Sequence, residues 1–162
     1  MKKKYSIVKL NADFFKKHAE NTEILCKPNR PHLVMLLSIN ELTFDIPFRT
    51  SAHRPKLGGI PHCYFFSSSG RQKLSAEGKV PALDFAKSVI VTEEDIGDTA
   101  IIDQNEFKEL HDNFLKIKAK FKDYLHHYIF SIKNSLNLDS PENRFSSLQY
   151  FKDALLKIEF LG

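Results

Sequence analysis

The side chains best suited to chemistry are concentrated in residues 46–56, IPFRTSAHRPK, a stretch that contains no carboxylate. Cations hold a phosphate, hydroxyls orient it through hydrogen bonds, and a histidine can move a proton near neutral pH. The residues of these three kinds are Arg49, Thr50, Ser51, His53, Arg54 and Lys56. Such a set predicts a site for a phosphodiester, and the alternative is an ordinary solvated basic loop after a strand.

The distribution of charge supports a polyanionic partner more than the formal net charge of +4 does. Residues 27–79 hold eight bases against three acids, which gives this stretch a charge of +5. Residues 92–112 hold eight acids against the single base Lys108. The chain is therefore expected to present a basic face and an acidic face.

Size and composition predict one globular domain over residues 1–162, with 42% hydrophobic and 27% charged residues. Cys26 and Cys63 are too few for a disulfide framework or a zinc site, and adjacent His126 and His127 would diverge on a helix. We expect no metal and no cofactor. The N-terminal residues lack the apolar segment of a signal peptide, and no apolar run is long enough to cross a bilayer. A cytoplasmic protein without a membrane partner is the resulting expectation.

The positions of the β-strands follow from short apolar or alternating runs separated by turn residues. Asn40 and Glu41 separate two such runs at a distance typical of a β-hairpin, and the basic stretch is then a loop that begins at Phe48. Asn11 is expected to cap a short helix over residues 12–20. About six strands are predicted, over residues 5–10, 32–39, 42–47, 63–66, 86–91 and 100–102.

The second half of the chain has the apolar spacing of helices. Asp103 and Glu106 form a capping-box pattern before apolar residues that recur in steps of three and four from Phe107 to Ile132. This spacing predicts one amphipathic helix of about 30 residues packed on a sheet. Ser140 and Pro141 are expected to begin a final helix. The predicted fold class is α+β, a compact antiparallel sheet with surrounding helices.

The order of these features resembles the ToxN/AbiQ superfamily of type III toxin–antitoxin endoribonucleases, and within it the TenpN/CptN-like branch. The matching features are a basic residue at Arg30, an apolar strand over 33–39, the Asn40-Glu41 turn, a second strand over 42–47 that ends in Pro, and the sequence Thr-Ser-x-His over 50–53. The resemblance spans residues 4–133 and is strongest over 27–56. Many members have Lys where this chain has Arg30 and His53.

This resemblance implies a strongly bent antiparallel sheet, similar to ToxN and to the MazF/Kid-like toxins. It also implies an enzyme that cuts RNA without a metal and serves in phage defence. Its partners would be substrate RNA and a small structured antitoxin RNA, derived from tandem repeats, which inhibits the enzyme in a closed toxin–RNA assembly.

The chemistry expected from the resemblance is transesterification, in which the ribose 2′-OH attacks the adjacent phosphorus and leaves a 2′,3′-cyclic phosphate and a 5′-OH. Arg30 would stabilise the phosphorane, and Thr50 and Ser51 would hold its non-bridging oxygens. His53 would be the general acid or base. The second proton carrier stays open among Lys27, His32 and a water on Asn29.

Further side chains are predicted to contact RNA through its backbone, or by stacking in the case of Tyr64 or Phe48. The predicted RNA contacts are Lys27, Asn29, His32, Arg49, Arg54, Lys56, Tyr64, Arg71 and Lys73. Two alternatives remain at this point. One is a non-catalytic RNA-binding module, and the other is a MazF-like ribonuclease toxin with a protein antitoxin.

Overall fold

The computed structural model describes residues 5–24, 33–53 and 62–158, the side chains of residues 141 and 142 excepted. Within these residues an antiparallel sheet is packed against helices, which confirms the predicted α+β class. None of the described helices is long and apolar enough to span a membrane. The predicted site residues that lie outside the described residues are Lys27, Asn29, Arg30, His32, Arg54 and Lys56.

The sheet contains seven described strands, close to the predicted number, and every pairing is antiparallel. Its order is β4-β5-β3-β2-β1-β7, and β6 also pairs with β3. The central strand β3 therefore holds the two parts of the sheet together. The strands are β1 Tyr5–Leu10, β2 Leu33–Ile39, β3 Leu42–Ala52, β4 Cys63–Phe65, β5 Val80–Asp84, β6 Val89–Val91 and β7 Ile96–Thr99.

The predicted hairpin is present between β2 and β3, with Ile39 opposite Leu42. Its two turn residues, Asn40 and Glu41, have φ angles of 49° and 68°. Positive φ at both central positions is the requirement of a type I′ turn, whose twist matches that of the flanking strands. Asn at the first position tolerates this conformation, which explains why the sequence marked the turn correctly.

Strand β3 is longer than predicted, because it continues past Pro47 through Ala52. Its first half pairs with β2 and β6, and its second half pairs with β5. The expectation of a loop beginning at Phe48 was wrong for residues 48–52. No strand was predicted at the position of β5, because the neighbouring Gly78 and the internal Pro81 are typical of loops.

Two other predicted strands were displaced. In place of a strand over 86–91, a 3₁₀ turn at Phe85–Lys87 precedes β6. Asp84 accepts a hydrogen bond from the Ala86 N–H and so caps this turn. No strand covers 100–102. Instead β7 ends at Thr99 and pairs with β1, where the register shifts.

The described α-helices confirm Asn11 and Asp103 as N-caps and correct the predicted lengths. Asn11 caps α1 by accepting from the Phe14 N–H, and Asp103 caps α2 by accepting from the Glu106 N–H. The helices are α1 Ala12–Lys17, α2 Gln104–Asp112, α3 Phe114–Asn134, α4 Pro141–Arg144 and α5 Lys152–Leu156.

The long helix predicted from the apolar spacing is two helices, interrupted at Asn113. This residue has φ −115° and ψ 19°, and its side-chain amide donates to the Glu109 carbonyl. Asn favours such local bonds over helical continuation, whereas the apolar spacing runs through the break unchanged. The final predicted helix is likewise divided into α4, a 3₁₀ helix at Ser147–Phe151 and α5.

Helix α3 packs its apolar face on the sheet and forms the centre of the main core. Phe121 contacts Phe44 of β3 edge-on, with ring centroids 5.3 Å apart. Full burial of such a side chain stabilises the fold by about 1.5–3 kcal/mol. The fixed position of this core against β3 keeps the second half of that strand in place.

Candidate functional site

The site predicted from the sequence lies at a β-bulge in the second half of β3. Arg49 pairs with Ala82 of β5, and Ala52 pairs with Val80, so β3 has one residue more than β5 between the two pairs. Thr50 and Ser51 occupy this interval, and both are half-buried. A bulge redirects side chains out of the regular alternation of a strand. Two consecutive residues with hydroxyl side chains thus lie at the irregular part of the strand.

The segment that follows β4, residues 66–79, folds over this bulge and binds its polar atoms. The Ser75 hydroxyl donates to the Thr50 carbonyl. The Ala76 N–H donates to the Ser51 Oγ at 2.9 Å. A hydroxyl that accepts one bond still has its own proton to give. The Ser51 oxygen is thus held by the chain, and its O–H donates to no partner among the described residues.

Arg71, in the same segment, joins the bulge to helix α2. Its Nη1 donates to the Thr50 Oγ1 at 2.8 Å, and its Nη2 lies 3.3 Å from the Arg49 carbonyl oxygen. Its Nε and Nη2 bind the two carboxylate oxygens of Glu106 at 2.5 and 2.8 Å. Glu106 is fully buried. The arrangement is a bidentate Arg–carboxylate pair, the strongest form of ion pair in proteins.

This contact bears on the prediction that Arg71 binds a phosphate, which stays a prediction. The charge of its guanidinium is balanced by Glu106, and its donors are directed into the protein. Ser69 adds a hydrogen bond to Glu106 at 2.6 Å, and the Gly70 N–H binds Asp103 at 3.1 Å. Arg71 therefore positions Thr50 and holds the segment against the N-terminus of α2.

Arg49 is also neutralised by a buried carboxylate. Its Nη1 lies 2.9 Å from the Asp84 Oδ2, and the Asp84 side chain is only 3% exposed. The Arg49 side chain is 37% exposed, so part of its guanidinium faces solvent while its charge is shared with Asp84. The predicted role of Arg49 as a phosphate contact is therefore weakened, because its charge is already balanced.

Burial and the neighbouring Asp84 also affect the thiol of Cys63. The thiol is buried on β4, and desolvation by burial, together with the negative charge of Asp84, raises its pKa well above the ordinary value. A thiol rather than a thiolate is then present near neutral pH. Cys63 packs with Ala52 and Ala82 and has a structural role beneath the bulge.

Tyr64, predicted to stack on an RNA base, is largely buried in the structure. The residue is 7% exposed and its ring packs edge-on against Phe66 in the main core. Its hydroxyl donates to Glu109 at 2.7 Å. Burial, followed by the bond to Glu109, raises the pKa of Tyr64. Burial of the ring argues against stacking on a base, and the role of Tyr64 in RNA binding stays a prediction.

His53 and Lys73 are exposed, as a role in RNA binding or catalysis requires. His53 follows directly on β3, one residue after the buried Ala52 and two after Ser51. The part of the predicted site that the structure brings together is therefore Thr50 and Ser51 at the bulge, with His53 at the end of the strand. The catalytic roles of these three residues stay predictions.

Several carboxylates that matter to the site were counted in the sequence only as part of an acidic face. Four of the eight acids in residues 92–112 bind partners inside the protein instead. The capping-box pattern marked Asp103, but no local signal connects Glu106 with Arg71, which is 35 residues away. The acids with internal partners are Asp95, Asp103, Glu106 and Glu109.

Comparison of the chain with protein-family models, with curated proteins and with solved structures returned no match. The resemblance over residues 27–56 therefore remains a prediction from the sequence. Among the described residues, no group of three or more His, Cys, Asp or Glu side chains lies close enough to hold a metal ion. The hydroxyl pair at the bulge is thus the arrangement on which a functional proposal can be based.

Proposed function

We propose that this chain is an RNA-cleaving toxin that acts in the cytoplasm and is inhibited by a small structured RNA. The observation that carries the proposal is the state of the two hydroxyls at the β3 bulge. Each accepts a hydrogen bond from residues 66–79, Thr50 from Arg71 and Ser51 from Ala76. Neither donates in any side-chain hydrogen bond among the described residues. Two hydroxyls on consecutive residues, each with a proton to donate, suit the two non-bridging oxygens of a phosphodiester.

The reaction proposed for this site needs a base and an acid besides the phosphate ligands. The base takes the proton of the ribose 2′-OH while the oxygen attacks phosphorus, and the acid gives a proton to the departing 5′-oxygen. The products are a 2′,3′-cyclic phosphate and a 5′-OH, and no water is consumed. His53, exposed at the end of β3, is proposed as one of these two groups. Arg71 acts indirectly, by fixing Thr50.

Incubation of the purified chain with RNA in EDTA, followed by analysis of the new ends, tests the proposal. Cleavage that persists in EDTA and leaves 2′,3′-cyclic phosphates is the expected result. We expect His53→Ala to slow cleavage roughly 10²–10⁴-fold, the usual contribution of a general acid or base. Loss of cleavage in EDTA with rescue by Mg²⁺, or products with 3′-OH ends, would contradict it.

A control for the hydroxyls is available on β1, where Ser6 is exposed. Each variant loses one hydroxyl, half-buried at Ser51 and exposed at Ser6. We expect Ser51→Ala to reduce cleavage and Ser6→Ala to leave cleavage unchanged. Toxicity in growing cells should follow the same order. Equal activity of the two variants would return Ser51 to the role of a structural acceptor for the Ala76 N–H.

A second candidate is a non-catalytic RNA-binding module, and one observation favours it. The two described arginines nearest the bulge, Arg49 and Arg71, are neutralised by Asp84 and Glu106, so neither stabilises a phosphorane as a free charge. The same incubation separates the two candidates. RNA that is bound but recovered intact, with no change in His53→Ala, would establish the binding module.

The proposed partner is an RNA rather than a protein antitoxin. Purification of the chain from its native host tests this directly. A discrete small RNA in a closed assembly with the chain is the expected result. A second polypeptide without RNA would instead favour a MazF-like toxin with a protein antitoxin.

A further inference from the structure

Helix α3 carries the largest set of unpaired positive charge in the described residues. Its 21 residues, Phe114–Asn134, contain five lysines and one acid, Asp123. The lysines belong to the half of the helix that does not pack on the sheet. They are Lys116, Lys118, Lys120, Lys122 and Lys133, of which all but the half-buried Lys118 are exposed.

These lysines differ from the cations near the bulge in their ion pairing. The four ion pairs within the described residues involve Lys17, Arg49, Arg71 and Lys87. None of them involves a lysine of α3. Internal carboxylates thus neutralise Arg49 and Arg71, whereas the lysines of α3 offer unpaired positive charge to a polyanion.

The spacing of the lysines arranges them along both edges of the exposed helix surface. Lys116 and Lys120 are one turn apart on one edge, and Lys118 and Lys122 are one turn apart on the other. One turn of four residues is about 6 Å along the axis. Phe130, 52% exposed, lies between the two edges nearer the C-terminus. Basic side chains around an exposed aromatic ring suit an RNA strand with an unpaired base.

Lys120 also connects this surface to the sheet that carries the bulge. Its Nζ lies 5.7 Å from the centroid of the Tyr64 ring on β4. Strand β4 pairs with β5, which in turn pairs with the second half of β3. One edge of the lysine surface is therefore two strands away from the strand that holds Thr50 and Ser51.

We propose that the exposed face of α3, with its five lysines, is an RNA-binding surface that contacts the phosphate backbone separately from the bulge. The inference rests on the proposed RNA partner and does not require cleavage. An anionic membrane fits the face less well, because the apolar side of α3 is packed in the core and only isolated apolar side chains such as Leu115 remain exposed beside the lysines.

Salt-dependent binding of a 2′-O-methyl RNA hairpin tests the proposal. Such an RNA cannot undergo attack by a 2′-OH, so the result is independent of whether the chain cleaves RNA. The variant replaces Lys116, Lys118, Lys120 and Lys122 with Gln, which has a similar helix propensity. Each lost phosphate contact lowers the slope of log affinity against log salt by about 0.7–0.9. We expect the slope to fall by about 3 and the affinity near 0.1 M salt to fall at least tenfold.

A control with the same net charge excludes a general electrostatic effect. It replaces four exposed lysines on other elements with Gln, namely Lys9, Lys16, Lys152 and Lys157. Both variants lower the formal charge of +4 by four. Thermal unfolding checks that each variant is folded. The proposal requires that the control keep a slope close to that of the wild-type chain.

Two results would overturn the proposal. One is an equal loss of RNA affinity in the α3 variant and in the control, which would mean that only net charge matters. The other is unchanged RNA binding by the α3 variant. Vesicles of phosphatidylserine and phosphatidylcholine supply a further arm. If the α3 variant loses binding to these vesicles and not to RNA, the face is a lipid surface and the proposal is wrong.

Discussion

Removal of the Arg71 guanidinium is the sharpest test of how the site is held together. In Arg71→Leu, the fully buried Glu106 loses both of its charge-assisted bonds and keeps only the hydroxyl of Ser69. An uncompensated buried charge after the loss of its partner costs about 3–5 kcal/mol. The Arg71 side chain is 26% exposed, so water already reaches part of the pair. We therefore expect a loss near the lower end, about 3 kcal/mol of the free energy of unfolding.

Urea unfolding followed by circular dichroism measures this loss. With a denaturant slope of about 2 kcal/mol per M, the midpoint should fall by about 1.5 M. The charge that remains in Glu106→Gln is the partly exposed guanidinium, which water can solvate, so this variant should lose less than Arg71→Leu. Lys73→Leu, in the same segment and exposed, is the matched control and should change stability by less than about 0.5 kcal/mol.

A double-mutant cycle completes the test. Arg71→Leu combined with Glu106→Leu removes both charges and should recover much of the lost stability, because two apolar side chains leave no buried ion. An unfolding free energy of Arg71→Leu within 0.5 kcal/mol of the wild-type value would refute the reasoning. So would a double variant that is less stable than Arg71→Leu alone.

Three further predictions concern single side chains. Asp45 is fully buried, and desolvation by burial raises its pKa well above the ordinary value, so the fold favours the protonated form. The destabilising effect of its ionised carboxylate is absent at acidic pH and appears as the pH rises, so Asp45→Asn should raise the urea midpoint at pH 7 more than at pH 4. Burial alone would raise the pKa of Glu109, but bonds from Tyr64 and Ser67 lower it below the ordinary 4.5; its stabilising effect is present above about pH 4.5 and is lost as the pH falls, and Glu109→Gln should flatten the acid limb of the stability profile. Glu41 has a φ of 68° in the type I′ turn, where Gly avoids the left-handed strain, so Glu41→Gly should raise the unfolding free energy by about 0.5 kcal/mol. A lower unfolding free energy of this variant, measured by chemical denaturation, would contradict the prediction.

Local features of the chain were predicted well because the interactions that decide them span only a few residues. Asn11 and Asp103 cap their helices through bonds to N–H groups three residues ahead. The Asn40-Glu41 turn depends on the conformational freedom of its own two residues. The apolar spacing from Leu110 to Tyr128 correctly predicted buried positions, but Phe107 is exposed and the spacing gave no sign of the break at Asn113.

The arrangement of the candidate site could not be predicted in the same way, because each of its contacts joins residues far apart in sequence. The bulge at Thr50 and Ser51 exists only because β5 pairs with β3 from 30 residues away, and it converts a predicted loop into strand. The partner of Arg71 is 35 residues distant, and no periodicity or composition distinguishes a cation that binds a buried carboxylate from one that meets solvent.

The sequence by itself thus determined the fold class, the caps, the hairpin and the residue types available for chemistry with a phosphodiester. The tertiary structure decided which charges are free. A count of bases and acids treats every charge as exposed, whereas burial of Asp84 and Glu106 makes ion pairing with Arg49 and Arg71 necessary. Among the elements of the described residues, α3 carries the largest set of unpaired positive charge, at positions that the sequence marked only as the polar side of an amphipathic helix.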